Sequence, residues 1–328
     1  MIRAFRACAI AALAALTPCA AGAAPATPAQ ASPAGEAVTA RIPFDPPLGK
    51  ALRYRFEKSE EGLRGKKSAW LVAGLVFAKA DDGYRMTVTP QDSGDGGPGR
   101  ASSPVMKTVL DMVKRPYTLI LTADAEIVGM EDSEAYWDAA FQAFAAASAG
   151  STATSPTDRQ AVEGITRMMR QIPEEARLAM VAESVAPLVE FAGTETVVGE
   201  PITTEAEQEA PFGGTMKRNV EIALQKVSDG TAFLSLHSSV PRAEFEAMMA
   251  AFMRTVAASQ VKPVPGKPIP TPEEIGRIEH FSQETRAEYE VALDTGLLKR
   301  HRSTETVEIR MQGNFDRKIT TVSLERID

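Results

Sequence analysis

The chain has 328 residues, of which 44% are hydrophobic and 24% are charged, and its formal net charge is −7. These values are ordinary for a globular protein, and the chain is long enough to bury a core without disulfides. An acidic chain without a basic tract is a poor candidate for binding nucleic acid or an anionic membrane surface, so both classes of partner are disfavoured.

Residues 1–23 have the pattern of a secretory signal peptide. Arg3 and Arg6 precede a short apolar run from Ala7 to Leu16, and Ala21-Gly-Ala23 has the small-x-small form of a cleavage site. The run is too short to span a bilayer. The pattern predicts a periplasmic or secreted protein that is cleaved near Ala23 and has no transmembrane segment afterwards.

The two cysteines, Cys8 and Cys19, both lie in this segment. The mature chain is therefore predicted to have no disulfide, no thiolate metal site and no cysteine nucleophile. Cys19 raises the alternative of a lipid anchor, which needs a small residue directly before the cysteine. Pro18 occupies that position, so lipid anchoring at Cys19 is disfavoured.

Residues 24–40 are rich in alanine, proline, serine and threonine and are predicted to form a disordered tether. Residues 41–130 are predicted to form a first β unit. Polar and apolar residues alternate at Leu52–Phe56 and at Tyr84–Thr89, which is typical of strands with one buried face. Asp81-Asp-Gly83 predicts the turn before the second of these strands.

Residues 131–192 are predicted to be a helical segment. Apolar residues recur at the spacing of an amphipathic helix from Glu134 to Ala147 and again from Asp158 to Gln171. Pro173 occupies the favoured first position of a further helix, which we expect to reach about Phe191.

Residues 193–328 are predicted to form a second β unit. It contains an amphipathic helix at 241–259 and an extended proline-rich connector at 261–272. The alternation on both sides of Asp294-Thr-Gly296 is the strongest pattern in the chain, and it predicts an antiparallel hairpin with one buried face.

Two short patterns occur in the same order in both β units. Lys79-Ala-Asp-Asp-Gly83 matches Lys226-Val-Ser-Asp-Gly230, and Tyr117-x-Leu119-x-Leu121 matches Tyr289-x-Val291-x-Leu293. The order suggests a duplicated unit, while independent recurrence of Asp/Gly hairpin turns is the alternative. We therefore predict an α+β fold with two related, half-barrel-like antiparallel sheet units, a helical insertion and covering helices.

No motif assigns catalytic or cofactor chemistry. The G-x-G-x-x-G run at 94–99 leads into Ser102, Ser103 and Pro104 rather than a helix, so it predicts a loop and not a dinucleotide site. The three histidines form no zinc-binding pair, and G-x-S-x-G and S-x-x-K are absent from the sequence. His237 and His301 fall in predicted strands and are expected at surface or rim positions. We expect no metal and no cofactor.

The helix predicted at 241–259 carries the most distinctive candidate site. Its apolar stripe contains the candidate groove residues Phe245, Met248, Met249, Phe252 and Met253. Methionine-rich surfaces suit loosely specified lipid or peptide partners, so these residues are candidates for an adaptable apolar groove. The alternative is that the stripe is the core face of a helix packed on a sheet.

The layout resembles exported bacterial proteins of unknown function that are built from curved antiparallel sheets. In these proteins an Asp-x-x-Gly-like turn, as in Leu293-Asp-Thr-Gly-Leu-Leu298, separates strands. The layout is also similar to the half-barrel of periplasmic lipoprotein carriers, in which a concave sheet covered by helices holds acyl chains. The resemblance covers about 44–130 and 195–327. It implies an apolar ligand and transfers no functional residue.

These observations favour an exported, non-enzymatic periplasmic protein. We expect it to bind an apolar ligand, such as a lipid or acyl chain, or an envelope protein partner. One alternative is an envelope hydrolase whose site is assembled from scattered Asp, Glu and His. Another is a purely structural protein with a filled core.

Overall fold

The computed structural model describes residues 39–63, 65–95, 115–150, 172–209, 215–247, 278–311 and 314–327. Most of this part of the chain is antiparallel β-structure. The strands are β1 (Thr39–Arg41), β2 (Ala51–Gly62), β3 (Gly65–Ala80), β4 (Gly83–Asp95), β5 (Tyr117–Thr122), β6 (Ile127–Met130), β7 (Glu195–Val197), β8 (Ile202–Glu209), β9 (Thr215–Ser228), β10 (Thr231–Ser239), β11 (Ile278–Ala292), β12 (Leu298–Met311) and β13 (Asn314–Arg326).

Eleven of these strands form one open sheet in the order β6-β5-β4-β3-β2-β13-β12-β11-β10-β9-β8. The strands β2 to β6 form one meander and β8 to β13 form another. The pairing of β13 with β2, in register from Ile319↔Glu61 to Arg326↔Tyr54, joins the two. Strands β1 and β7 form a separate two-stranded ribbon. The predicted β units thus contribute to one continuous sheet.

Helices are few in the described part of the chain. They are α1 (Ser133–Gly150), α2 (Glu174–Ala182), a 3₁₀ turn (Ala186–Leu188) and α3, which is described over residues 242–247. The prediction of antiparallel sheets is confirmed, but the fold is more dominated by sheet than a balanced α+β protein. The predicted helix at 158–171, most of the helix at 241–259 and the connector at 261–272 lie outside the described residues.

The helix that follows Pro173 is shorter than predicted. It ends at Ala182 instead of reaching Phe191, and turns and the 3₁₀ turn follow it. Pro187 has no amide hydrogen to donate to the carbonyl of Glu183, and its ring would clash there. A continuous α-helix is therefore excluded at this point.

Strand β4 extends further than predicted and reaches Asp95. Gly94 therefore lies in a strand and not in the predicted loop, and residues 96–99 lie outside the described part. A Cβ atom on Gly94 would come within 2.7 Å of Nε1 of Trp70. The glycine thus leaves room for the indole ring of Trp70.

Period-2 alternation places the core on one face of the sheet, which we call the inner face. In β11, the side chains of Phe281, Thr285 and Tyr289 are buried there, while Arg286 and Glu288 are exposed on the opposite, outer face. The main core extends across the sheet under α1 and the segment after α2. A smaller cluster lies apart from it and consists of Met216, Val240, Phe245, Phe281 and Val307, with Ile309 packed against it.

The two repeated patterns lie in corresponding hairpins and strands of the two meanders, but the turn falls at different residues of the lysine-containing pattern. Each lysine-containing pattern forms a hairpin, and the tyrosine-containing pattern follows in β5 or β11. Asp229 and Gly230 are themselves the two-residue loop, with φ angles of 49° and 67°. In the other hairpin, Asp81 and Asp82 form the loop and Gly83 begins β4. The duplication stays a prediction.

Candidate functional site

A row of polar side chains crosses the inner face of the second meander. This polar row consists of Arg218 in β9, Ser238 in β10, Thr285 in β11 and Glu305 in β12. Ser238 pairs with Thr285, and Thr285 pairs with Glu305, in the register of the sheet. The guanidinium Nη2 of Arg218 donates hydrogen bonds to Oγ of Ser238 and, at 3.4 Å, to Oγ1 of Thr285.

The polar row lies between two apolar clusters. In β9, Met216 of the small cluster precedes Arg218, and Val220 of the main core follows it. The side chain of Arg218 is only 1% exposed. Burial lowers its pKa, and the nearby charge of Glu305 partly offsets this effect. Removing a guanidinium from water is costly, so its burial is weak evidence for a gain in stability.

Glu305 is held by a neighbour in the next strand. Nε2 of Gln283 donates a hydrogen bond of 2.7 Å to Oε1 of Glu305. Burial raises the pKa of Glu305, while this hydrogen bond and the charges of Arg218, Lys318 and Lys58 act in the opposite direction. Glu305 is thus a partly buried carboxyl surrounded by cations.

A second carboxyl reaches the same region from the covering layer. Burial raises the pKa of Glu183, directly after α2, to about 7. Lys58 opposes this increase, and the negative charge of Glu305 adds to it. Glu60 lies between Lys58 and Lys318, with nitrogen–oxygen distances of 3.6 and 3.5 Å. Three cations and three carboxyls therefore meet on this part of the inner face.

A second cluster of titratable side chains lies within the main core and consists of Glu190, Tyr289 and His301. Tyr289 and Glu190 are hydrogen-bonded, and burial raises the pKa of both. The Tyr289 ring lies 4.7 Å from the ring of Phe191 and 4.6 Å from that of His301, measured between centroids. Burial lowers the pKa of His301 to about 4, and its Nδ1 makes no hydrogen bond. This histidine is held neutral.

The expectation that both strand histidines lie at the surface was half right. His237 is exposed on the outer face, but His301 is only 4% exposed. The register of β12 places His301 between Tyr289 and Leu324 on the inner face. Alternation in the sequence does not reveal which of the two faces becomes covered.

Of the predicted groove residues, the structure locates Phe245. Its ring stacks on that of Phe281, with the centroids 3.5 Å apart and an angle of 2° between the planes. Phe245 is 6% exposed, so its ring covers the small cluster. Met248, Met249, Phe252 and Met253 lie outside the described residues.

The sequence interpretation missed the polar row. The available signal was Arg218, which interrupts the inward-facing series Met216, Val220, Ile222 and Leu224 in β9. No sequence pattern indicated that Glu183 belongs to this region, because it lies in a separate segment that reaches the sheet only in the folded chain.

No protein-family model and no curated protein matches this chain. Within the described ranges, no group of three or more His, Cys, Asp and Glu side chains is arranged to hold a metal ion. None of the helices described by the structure has both the length and the apolar character needed to cross a bilayer.

Proposed function

We propose that the protein is an exported, non-enzymatic binding module that holds an amphiphilic ligand on the inner face of its second meander. The apolar part of the ligand, such as an acyl chain, takes the place of the Phe245 ring against Phe281 and Val307 of the small cluster. Its polar head lies at the polar row. The ligand class is an amphiphile with an anionic head, either a fatty acid or an anionic phospholipid.

The observation that carries this proposal is the position of the polar row between two apolar clusters. Replacing buried charged groups by well-packed apolar side chains is often neutral or stabilising, so folding alone does not require polar side chains at these positions. Groups with perturbed pKa values in a partly covered site are candidates for function.

The charges of the region favour an anionic head. Arg218, Lys58 and Lys318 supply positive charge, part of which Glu60 offsets through its contacts with both lysines. The pKa of Glu183, raised to about 7, reduces the opposing negative charge near neutral pH. A carboxylate or phosphate would accept charge-assisted hydrogen bonds from these cations, and such bonds are stronger than neutral ones.

The first test is native mass spectrometry of the chain from Ala24, purified from the periplasm of its own host, followed by solvent extraction. We expect one amphiphile per chain, and its mass distinguishes a fatty acid from a phospholipid. The second test titrates the emptied protein with oleate and with dodecyl maltoside, which has an uncharged head. We expect saturable binding of oleate that is at least about tenfold tighter, a free-energy difference of about 1.4 kcal/mol.

Substitutions locate the site. The double variant Lys58→Gln/Lys318→Gln is expected to weaken oleate binding at least about tenfold. Arg286→Gln is the matched control, because Arg286 lies next to Thr285 in β11 but its side chain faces outward and is 76% exposed. Thermal unfolding by circular dichroism checks that each variant folds. An empty purified protein without saturable oleate binding, or equal losses in both variants, would refute the proposal.

The envelope hydrolase is a second candidate, favoured by the proximity of Glu183 and Glu305. A carboxyl with a pKa of about 7 can act as a general acid at neutral pH, and a neighbouring carboxylate can act as base. The test is hydrolysis of chromogenic glycosides, esters and phosphate esters by the native chain. Activity that Glu183→Gln and Glu305→Gln both abolish, with folding retained, would establish catalysis. Lack of turnover of all three substrate classes would argue against it.

A further inference from the structure

A cleft with a volume of about 420 Å³ lies at one edge of the sheet, far from the polar row in strand order. Strand β6 forms one wall through Val128, Gly129 and Met130. The start of α2 forms the other wall through Pro173, Glu174, Glu175 and Leu178. Ligand sites in proteins commonly have volumes of roughly 300–1,000 Å³, and this cleft falls within that range.

The β6 wall is a strand edge with backbone groups that pair with no other described strand. Strand β6 ends the sheet, and its neighbour in the described part is β5. The amide of Glu131 donates to the carbonyl of Thr118 at 2.9 Å, while Met130 lies opposite Leu119. Hydrogen-bonded and non-hydrogen-bonded pairs alternate in an antiparallel ladder. The amide and carbonyl of Met130 therefore point away from β5.

The side chains around this edge are partly apolar and partly acidic. Val128 is 52% exposed, and Leu178 supplies a further apolar surface on the opposite wall. Glu174 and Glu175 occupy the first turn of α2, and both are exposed. This combination is complementary to a segment with alternating apolar and basic residues.

We propose that this cleft binds an extended, basic segment of another protein, which adds to the sheet as a strand beside β6. The main chain of the segment pairs with the outward amide and carbonyl of Met130. Its apolar side chains contact Val128 and Leu178, and its lysine or arginine side chains lie near Glu174 and Glu175. Addition of a strand to a sheet edge is a recurrent mode of peptide recognition. The proposal goes beyond the inner-face ligand and involves none of its residues.

The test measures fluorescence anisotropy with the full chain and two blocked, labelled peptides. In one peptide valine alternates with lysine, and in the other glutamate replaces lysine. We expect saturable binding of the lysine peptide and at least tenfold weaker binding of the glutamate peptide. The double variant Glu174→Gln/Glu175→Gln should weaken binding of the lysine peptide severalfold.

A pair of variants at Met130 tests the main-chain contact. Met130→Pro removes the outward amide hydrogen, which makes no bond to β5, and proline is tolerated at such edge positions. Met130→Ala also removes the methionine side chain but keeps the backbone amide hydrogen. We expect Met130→Pro to bind the lysine peptide at least tenfold more weakly than Met130→Ala, with oleate binding unchanged in both. Equal binding by both variants, or no saturable binding by the native chain, would overturn the proposal.

Discussion

The hydroxyl group of Tyr54 donates a hydrogen bond of 2.7 Å to the carbonyl oxygen of Leu298. Tyr54 lies in β2 and Leu298 begins β12, so the bond passes over β13, which separates these strands in the sheet. It therefore ties the first meander to the second at the point where β13 and β2 join them. Both residues are 1% exposed.

Replacing this hydroxyl should destabilise the whole sheet. Tyr54→Phe leaves the buried carbonyl of Leu298 without this donor, and we expect a loss of about 1–2 kcal/mol in the free energy of unfolding, measured with urea. Tyr84→Phe is the control, because the hydroxyl of Tyr84 lies 3.4 Å from the carbonyl oxygen of Phe44 and forms a weaker bond. A loss in the control as large as that in Tyr54→Phe would contradict this interpretation.

The turn that the sequence predicted at Asp294-Thr-Gly296 connects β11 and β12, and its glycine should tolerate no side chain. Gly296 has a φ of +72°, and a Cβ atom there would lie 1.7 Å from the carbonyl oxygen of Pro43. Gly49→Ala is the matched control, since Gly49 has a φ of +68° with nothing within 4 Å.

Backbone strain alone is expected to cost Gly49→Ala about 1–2 kcal/mol in the free energy of unfolding. Gly296→Ala should lose more than about 4 kcal/mol or fail to fold, because the clash adds to the same strain. Denaturation of both variants in urea measures the difference. Similar stabilities would show that the contact with Pro43 is relieved by a small backbone shift.

His301 should make the protein less stable in acid. Its folded-state pKa of about 4 lies below the ordinary value of 6.5, so the unfolded chain binds more protons between these two pH values. The free energy of unfolding should therefore fall as the pH decreases from about 6.5 to about 4, with a contribution of about 3 kcal/mol.

The measurement compares urea denaturation of the native chain with that of His301→Gln at several pH values in this window. The advantage of the native chain over the variant should shrink as the pH decreases. A constant difference between the two proteins across the window would show that His301 does not titrate as proposed.

Glu183 should have the opposite pH dependence. Its folded-state pKa of about 7 lies above the ordinary value of 4.5, so the folded state binds more protons between them. The contribution of the protonated carboxyl to the free energy of unfolding is fully present below pH 4.5. It is lost as the pH rises through about 7. Glu183→Gln should therefore gain about 1–3 kcal/mol relative to the native chain between pH 4.5 and pH 8.

The control for this experiment is Glu200→Gln, which changes an exposed carboxyl on the loop before β8. As a surface substitution, it should change the free energy of unfolding by no more than about 0.5 kcal/mol. If Glu183→Gln behaves like this control, the carboxyl of Glu183 is solvated and the charge argument for an anionic ligand is weakened.

Local patterns predicted much of the secondary structure. Alternation identified the strands around Tyr54, Tyr84, Val220 and Tyr289, because one face of each strand is buried. The hairpin at Gly296 followed from its turn chemistry. The end of α2 was missed, although Pro187 was visible, because the apolar spacing continued past it. Of the candidate groove residues, Phe245 lies in the described part of the chain, and its ring packs on that of Phe281.

The sequence by itself determined where many of the strands form, where hairpins turn and which residues of a strand share a face. These properties depend on neighbouring residues, since side chains alternate and glycine adopts positive φ angles. Only the tertiary structure decided that β13 pairs with β2, that His301 is covered and that Glu183 meets Glu305 beside Lys58. Those contacts depend on the register between distant strands and on a separate covering segment, which no local pattern specifies.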